Sequence, residues 1–243
     1  MEGRLGQHRR AWEEKPALRA VYEDLYRRIA ASCAPGRSLE IGGGVGNFKA
    51  FAPSAIATDI QAAPWLDAVC DAHRLPFDGG SLGNIVLFDV LHHLARPRLF
   101  FAEALRTLKA GGRVVMVEPG LSLASYPFYT WLHEEPVVLG ADPLTEGEAG
   151  RRDPYDANQA IPSLLFGPLF GRHRGAFAAA FPQFAVRERR LLSLFAYPLS
   201  GGFKPWSLMP AAAVPAMLKL EAALAPVLGP LLAFRLFVVL EKR

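Results

Sequence analysis

The chain has 243 residues, of which 51% are hydrophobic and 21% charged. That is enough for one sizeable core, and it excludes an intrinsically disordered chain. Cys33 and Cys70, the two cysteines, are too few for a disulfide framework or a zinc ribbon and are read as free thiols of a cytoplasmic protein. The net charge of +4 comes in short clusters interrupted by acids: Arg9-Arg10, Arg27-Arg28, Arg151-Arg152 and Arg187 to Arg190. These read as solvated faces, with attraction to a phosphate group or a membrane surface as the alternative. No nucleic-acid-binding motif accompanies them, so no nucleic-acid partner is expected.

In chain order, MEGRLGQHRRAWEEK carries charges where a signal peptide needs an apolar core, so no secretion is expected. Residues 17–32 place Leu18, Val21, Tyr22, Leu25 and Ile29 on one helical stripe, which Pro35-Gly36 ends. SLEIGGGVGNF reads as a strand, a glycine turn and the start of a helix. SAIATDI is a second strand ending at Asp59, DAVCDA a short third one, and NIVLFDV a strand buried on both faces. Residues 97–109 form a helix with Leu99, Phe100, Ala104, Leu105 and Leu108 inward, capped at Ala110-Gly111-Gly112, and RVVMVEP is the next strand. Residues 119–170 are rich in proline, glycine and aromatics, which predicts a functional cover or binding insert. Gly175 to Phe181 is a short helix, and FAVRERRLLSLF and AFRLFVVLEK are strands. Ala222 to Leu240 comes nearest to a membrane span, but Pro226, Pro230, Arg235 and its strand-like end argue against one.

Strands alternating with helices predict an α/β fold, a doubly wound, mostly parallel sheet with its ligand at the carboxyl ends of the strands. The whole chain is read as one domain. Residues 1–35 form a helical lid, 36–118 a cofactor-binding core, 119–180 a substrate insert, and 181–243 the last strands with an apolar segment. Within Glu40-Ile41-Gly42-Gly43-Gly44-Val45-Gly46-Asn47, glycines at 42, 44 and 46 let backbone approach a ligand closely. The third glycine of a dinucleotide fingerprint is missing, since Asn47 or Lys49 stands at its position. Glu40 would sit badly beside a pyrophosphate but well near an ammonium or sulfonium. A carboxylate at Asp59 can accept both hydroxyls of a ribose. Asp71 can accept from an exocyclic amine, and the backbone N–H of Ala72 can donate to a ring nitrogen. Together these suit a ligand with adenosine at one end and an amino acid at the other.

At this point the sequence resembles the class I S-adenosylmethionine-dependent methyltransferases, in particular their type 11 branch. LEIGGGVGNF, ATDI, DAHRLPF, IVLFDVLHHL and LKAGGRVVMVEP carry the resemblance over residues 36–118. It implies a Rossmann-like sheet of seven strands with the last antiparallel, and S-adenosyl-L-methionine as cofactor. It also implies that Glu40, Gly42, Gly44 and Gly46 cradle the methionine part and that Asp59 and Ile60 hold the ribose side. Asp71 and Ala72 would then meet the adenine, and Phe88 would line the cofactor. Asn84 departs from the family's usual Asp at a position expected to be structural. The helical lid would bring Trp12, Lys15 and Tyr22 over the cofactor, with plain helix packing as the alternative.

Methyl transfer from a sulfonium is an in-line displacement that chiefly needs positioning and exclusion of water. A base is needed only where the nucleophile is protonated. His93 and His133 are the candidates, beside His92, Glu134 and Glu135, while His8, His73 and His173 lack supporting context. No metal-ligand spacing is evident. Tyr155, Asp156, Asn158 and Gln159 form a polar knot beside a long apolar stretch, which reads either as ordinary core and helix packing or as a site for a small hydrophobic or lipid-like acceptor with peripheral membrane contact; the latter is taken as the working hypothesis. The competing readings are a nicotinamide-dependent oxidoreductase on a similar sheet and a non-catalytic cofactor-binding module.

Overall fold

The computed structural model describes residues 4–146 and 156–243; Tyr155 and the pair Arg151-Arg152 lie outside them. Two helices open the chain, α1 (Arg4–Glu14) and α2 (Pro16–Ser32). The strands follow as β1 (Ser38–Ile41), β2 (Ile56–Asp59), β3 (Ala68–Val69), β4 (Leu82–Phe88) and β5 (Leu108–Pro119), with α3 (Pro97–Thr107) before the last of these. The short helices α4 (Ser125–Trp131), α5 (Ile161–Phe166) and α6 (Arg174–Ala180) lead to β6 (Phe184–Leu192). Helices α7 (Ala196–Leu199) and α8 (Val214–Leu232) precede β7 (Arg235–Lys242).

The seven strands make one sheet in the order β3-β2-β1-β4-β5-β7-β6. β7 pairs antiparallel with both β5 and β6, and the remaining pairings are parallel. This is the expected Rossmann-like fold. Strand order reverses between β1 and β4, which opens a crevice at their carboxyl ends. Alternate residues of the central strands feed two cores. Ile85, Leu87, Val114 and Met116 face Phe100, Phe101 and Leu164, whereas Val86, Phe88, Val115 and Val117 face Leu18, Tyr22, Leu25 and Ile29 of α2. Every residue of β4 is buried, as its mostly apolar sequence leads one to expect. Asn84 is structural, as expected. Its amide accepts from Ala34 N–H at 2.7 Å and donates to Ala34 O at 2.8 Å and Ser38 Oγ at 3.0 Å.

The structure corrects three local expectations. The glycine turn leads into a single 3-10 turn, Asn47–Ala50, instead of a helix. Pro53 follows too soon for the several turns a stable helix needs. The third strand shrinks to Ala68–Val69, so Asp71 and Ala72 stand just beyond its tip. The prolines at 226 and 230 do not break the chain, because both lie inside α8. Neighbouring backbone uses the carbonyls at that end, with Leu123 N–H donating to Pro230 O at 3.1 Å and Ala124 N–H to Leu231 O at 2.8 Å. Ala211–Leu232 is long and apolar enough to cross a membrane by length and composition. Only Val214, Glu221 and Gly229 of α8 are buried, where it packs on the domain.

Candidate active site

The glycine turn leaves β1 with Gly42, Gly44 and Gly46 all at positive φ (67°, 51° and 76°), a region that residues with a Cβ enter only with strain. At Gly42 space is short as well, since a Cβ would lie 2.4 Å from Val90 Cγ2. The bend presents Gly44 N–H to Asp59 Oδ2 at 3.0 Å, while Asp59 Oδ1 accepts from Gln61 N–H at 3.0 Å. The predicted ribose acid therefore already touches the glycine turn. Cys70 N–H donates to Asp59 O at 2.9 Å, which sets the Asp71-Ala72 pair beside it. Asp71 Oδ1 accepts from His73 N–H at 2.8 Å and contacts His73 Nδ1 at 2.7 Å. His73 Nε2 accepts from Arg96 N–H at 3.2 Å, so Nδ1 carries the proton and His73 serves to hold Asp71. Ile60 is 49% exposed and open to a ligand, whereas Ala72 is buried.

Glu40 lies under this bend, buried, with Oε2 lacking any hydrogen-bond partner. Burial and the nearby Asp59 charge push its carboxyl up to about 8. An orphaned acid beneath the bend is a place for a cation, which would draw it into its ionised form. The residues present thus fit the amino-acid end of S-adenosylmethionine at Glu40 and its ribose at Asp59. Sequence reasoning missed Trp65, whose Nε1 donates to Gly44 O at 2.8 Å and whose ring abuts Gly46. Arg9 of α1 lies over that ring, 5.0 Å from its centre. Leu5 comes within 3.9 Å of the Cβ position of Gly44, so α1 packs over the turn.

The three residues named for that lid have separate roles. Lys15 Nζ donates to the carbonyls of Gly202 and Lys204, tying the N-terminal helices to the loop after α7. Trp12 packs edge-on against Tyr26 at 6.3 Å. Tyr22 stacks on Phe88 at 4.9 Å, so the Phe88 ring faces α2. Beyond Phe88, Asp89 sits at φ 58°. It pairs with Arg235, which is only 2% exposed and whose Nη2 donates to Tyr22 Oη at 2.9 Å. Tyr197 lies against the guanidinium, 4.4 Å from ring centre to Cζ.

After β4 the chain makes a single turn, Leu91–His93. Buried Glu118, at the end of β5, accepts from Val90 N–H at 2.9 Å and Leu91 N–H at 2.7 Å, and its other oxygen meets His92 Nδ1 at 2.7 Å. Burial opposes charge on His92, but its contacts with the Glu118 and Glu135 carboxylates outweigh that and push it up to about 9. Burial tends to raise Glu135, yet the histidines around it bring it down to about 2. His93 Nδ1 lies 3.2 Å from Asp156 O. A carbonyl only accepts, so Nδ1 carries the proton and Nε2 keeps its lone pair. Burial and the neighbouring His92 lower the His93 pKa, and burial lowers that of His133. His133 Nδ1 accepts from Glu135 N–H at 3.2 Å, leaving it the poorer base of the two. Asn158 is spent on structure, exchanging hydrogen bonds with the backbone of Val138, while Gln159 Nε2 donates to Glu135.

Residues 39–116 match a family model described as a methyltransferase domain. A curated relative, an uncharacterised 37.1 kDa protein in transposon TN4556 of Streptomyces fradiae, is 47% identical over 49 residues, 20% of this chain. The match spans only 14% of that relative's length. Among solved structures, a SAM-dependent methyltransferase from Archaeoglobus fulgidus superposes with a TM-score of 0.54 at 15% identity, covering 93% of this chain and 94% of its own. Geranyl diphosphate C-methyltransferase from Streptomyces coelicolor gives 0.52 at 13% identity, covering 91% and 81%. Both likenesses are of fold.

Proposed function

We propose that this chain, whose residues 39–116 match the methyltransferase-domain model, is an S-adenosylmethionine-dependent methyltransferase of the type 11 branch that moves the donor's methyl group onto a small hydrophobic acceptor. The observation that carries this reading is the buried, unpartnered Glu40 oxygen under a positive-φ glycine bend hydrogen-bonded to Asp59. In this reading the donor supplies the activated methyl carbon. The chain binds its cationic amino-acid end at Glu40 and its sugar at Asp59, and the α1 cover keeps water away.

The acceptor side is supported by the apolar rim. Lys204 Nζ meets Glu134 Oε1 at 2.7 Å, which brings the loop carrying Phe203, Trp206 and Leu208 beside the segment of Trp131, Leu132 and Glu135. All five of these apolar side chains are exposed, and exposed apolar clusters beside a polar site mark a binding surface. In the lipid-like form of the reading, the outward face of α8, with Leu220, Val227 and Leu231 exposed, rests on a membrane on the cytoplasmic side.

In this reading the His93 Nε2 lone pair faces the acceptor and takes up its proton where the nucleophile is protonated. His93→Ala should then lower turnover about 10²- to 10⁴-fold with a hydroxyl or phenol acceptor, with donor affinity unchanged. Equal turnover of the variant would remove His93 from the chemistry. The acceptor itself is found by incubating the protein with methyl-labelled donor and fractionated cell extract. Label in organic-soluble small molecules supports the reading, and label only in water-soluble or macromolecular fractions overturns it.

A further inference from the structure

Three side chains from two distant segments converge beside this site. His92 Nε2 stands 3.5 Å from Glu135 Oε2, and His93 Nε2 stands 3.7 Å from Glu135 Oε1. The two nitrogens and the carboxylate all fall within 4.8 Å of one another. These separations exceed the ordinary N–H···O range of about 2.7–3.2 Å. They approach the edge of a tetrahedron, since donors about 2.0–2.2 Å from a central ion stand about 3.3–3.6 Å apart.

Each of the three is also held from behind. Glu118 fixes His92 through Nδ1, Asp156 O fixes His93 through Nδ1, and Gln159 Nε2 donates to Glu135. Carboxylate or carbonyl behind imidazole is the outer shell that orients metal-bound histidines. Two of these holders, Glu118 and Gln159, are themselves buried.

We propose that His92, His93 and Glu135 bind a divalent transition-metal ion of the zinc class. Two imidazoles and one carboxylate suit Zn²⁺, Co²⁺ or Fe²⁺ and not Mg²⁺ or Ca²⁺, which take oxygen ligands. His93 and Glu135 each keep about a fifth of their side chain exposed, 22% and 21%, so the site opens on one side. That leaves a fourth position for water or for an oxygen of the acceptor, as in three-ligand catalytic zinc sites. The ion takes the place of a proton on His92 Nε2, while Nδ1–H still donates to Glu118. In the loaded protein the ion occupies the Nε2 lone pair, so His93 acts there as a ligand and serves as a base only in the metal-free protein. The spacing of the donors along the chain hides the site, because two are adjacent and the third lies far downstream.

The test uses untagged, chelator-stripped full chain without methyl donor, so it is independent of methyl transfer. Calorimetry with Zn²⁺ should show one site per chain, and Co²⁺ should give the visible bands of a low-symmetry complex. His93→Ala and Glu135→Gln should each weaken binding by a factor of 100 or more, and Glu118→Gln by about 10–100-fold. Circular dichroism of each variant establishes that it is folded, and if His93→Ala is not, the conservative Glu135→Gln decides. No Zn²⁺ or Co²⁺ binding by the wild type, or binding that Glu135→Gln leaves unchanged, overturns the proposal.

Discussion

Asp89→Asn is expected to destabilise the protein by about 3–5 kcal/mol in denaturant unfolding, because it strips the anion from a guanidinium that water cannot reach. Asparagine has nearly the shape of aspartate and tolerates the left-handed backbone at this position, so the change isolates the charge. Arg235 is almost fully buried with its Nε unpartnered, and its remaining contacts, the Tyr22 hydroxyl and the Tyr197 ring, are neutral groups that do not replace the anion. Removing the arginine instead costs less, since the Asp89 side chain keeps 28% of its surface exposed and water can solvate it. The double variant Asp89→Asn/Arg235→Met should therefore recover part of the loss. A cost below about 1 kcal/mol for Asp89→Asn would mean that this pair contributes little to stability.

The second large effect concerns Glu40. Its carboxyl titrates at about 8 in the folded chain against an ordinary value of 4.5. Between those values the unfolded chain has released a proton that the folded chain still holds. Stability therefore falls as pH rises through this window, by about 1.4 kcal/mol per unit at most. Above about 8 the loss is complete. Glu40→Gln should flatten the profile, and its stability should exceed that of the wild type most at pH 8 to 9. Donor binding should run the opposite way. A cation at Glu40 favours the ionised form, so affinity for S-adenosylmethionine should rise with pH towards 8 and binding should release protons. Parallel pH–stability profiles for wild type and Glu40→Gln would contradict this account.

The parts of the molecule that local sequence reveals are those that local physics determines. β4 is readable because a strand buried on both faces carries a run of apolar side chains, here Ile85 to Phe88. The glycine turn and Asp59 are readable because positive φ and a strand-end acid leave their mark within a few residues. The misreadings have a common cause in distant partners. Pro226 and Pro230 look like helix breakers in isolation, but α8 accommodates them, and the carbonyls of Pro230 and Leu231 accept from Leu123 and Ala124. Arg235 looks like a charge placed against membrane insertion, whereas its function in the fold is to pair with Asp89, 146 residues earlier. His92 and His93 stand out in the sequence, but nothing near them signals Glu118 behind or Glu135 in front. Those partners come from the end of β5 and from the segment after α4, which only the folded sheet brings together. Trp65 was illegible for the same reason, since its contact with Gly44 depends on how the loop after β2 folds back over the turn.

The central claim is that the glycine bend and the aspartate at the tip of β2 form one binding site for an adenosine-bearing methyl donor. Calorimetric titration of the full chain with S-adenosylmethionine, repeated with Asp59→Ala, tests it most directly. The account predicts one donor per chain and a loss of about 1–3 kcal/mol, roughly 5- to 150-fold, when the ribose-accepting carboxylate is removed. Absence of binding by the wild type, or equal affinity in the variant, would contradict it.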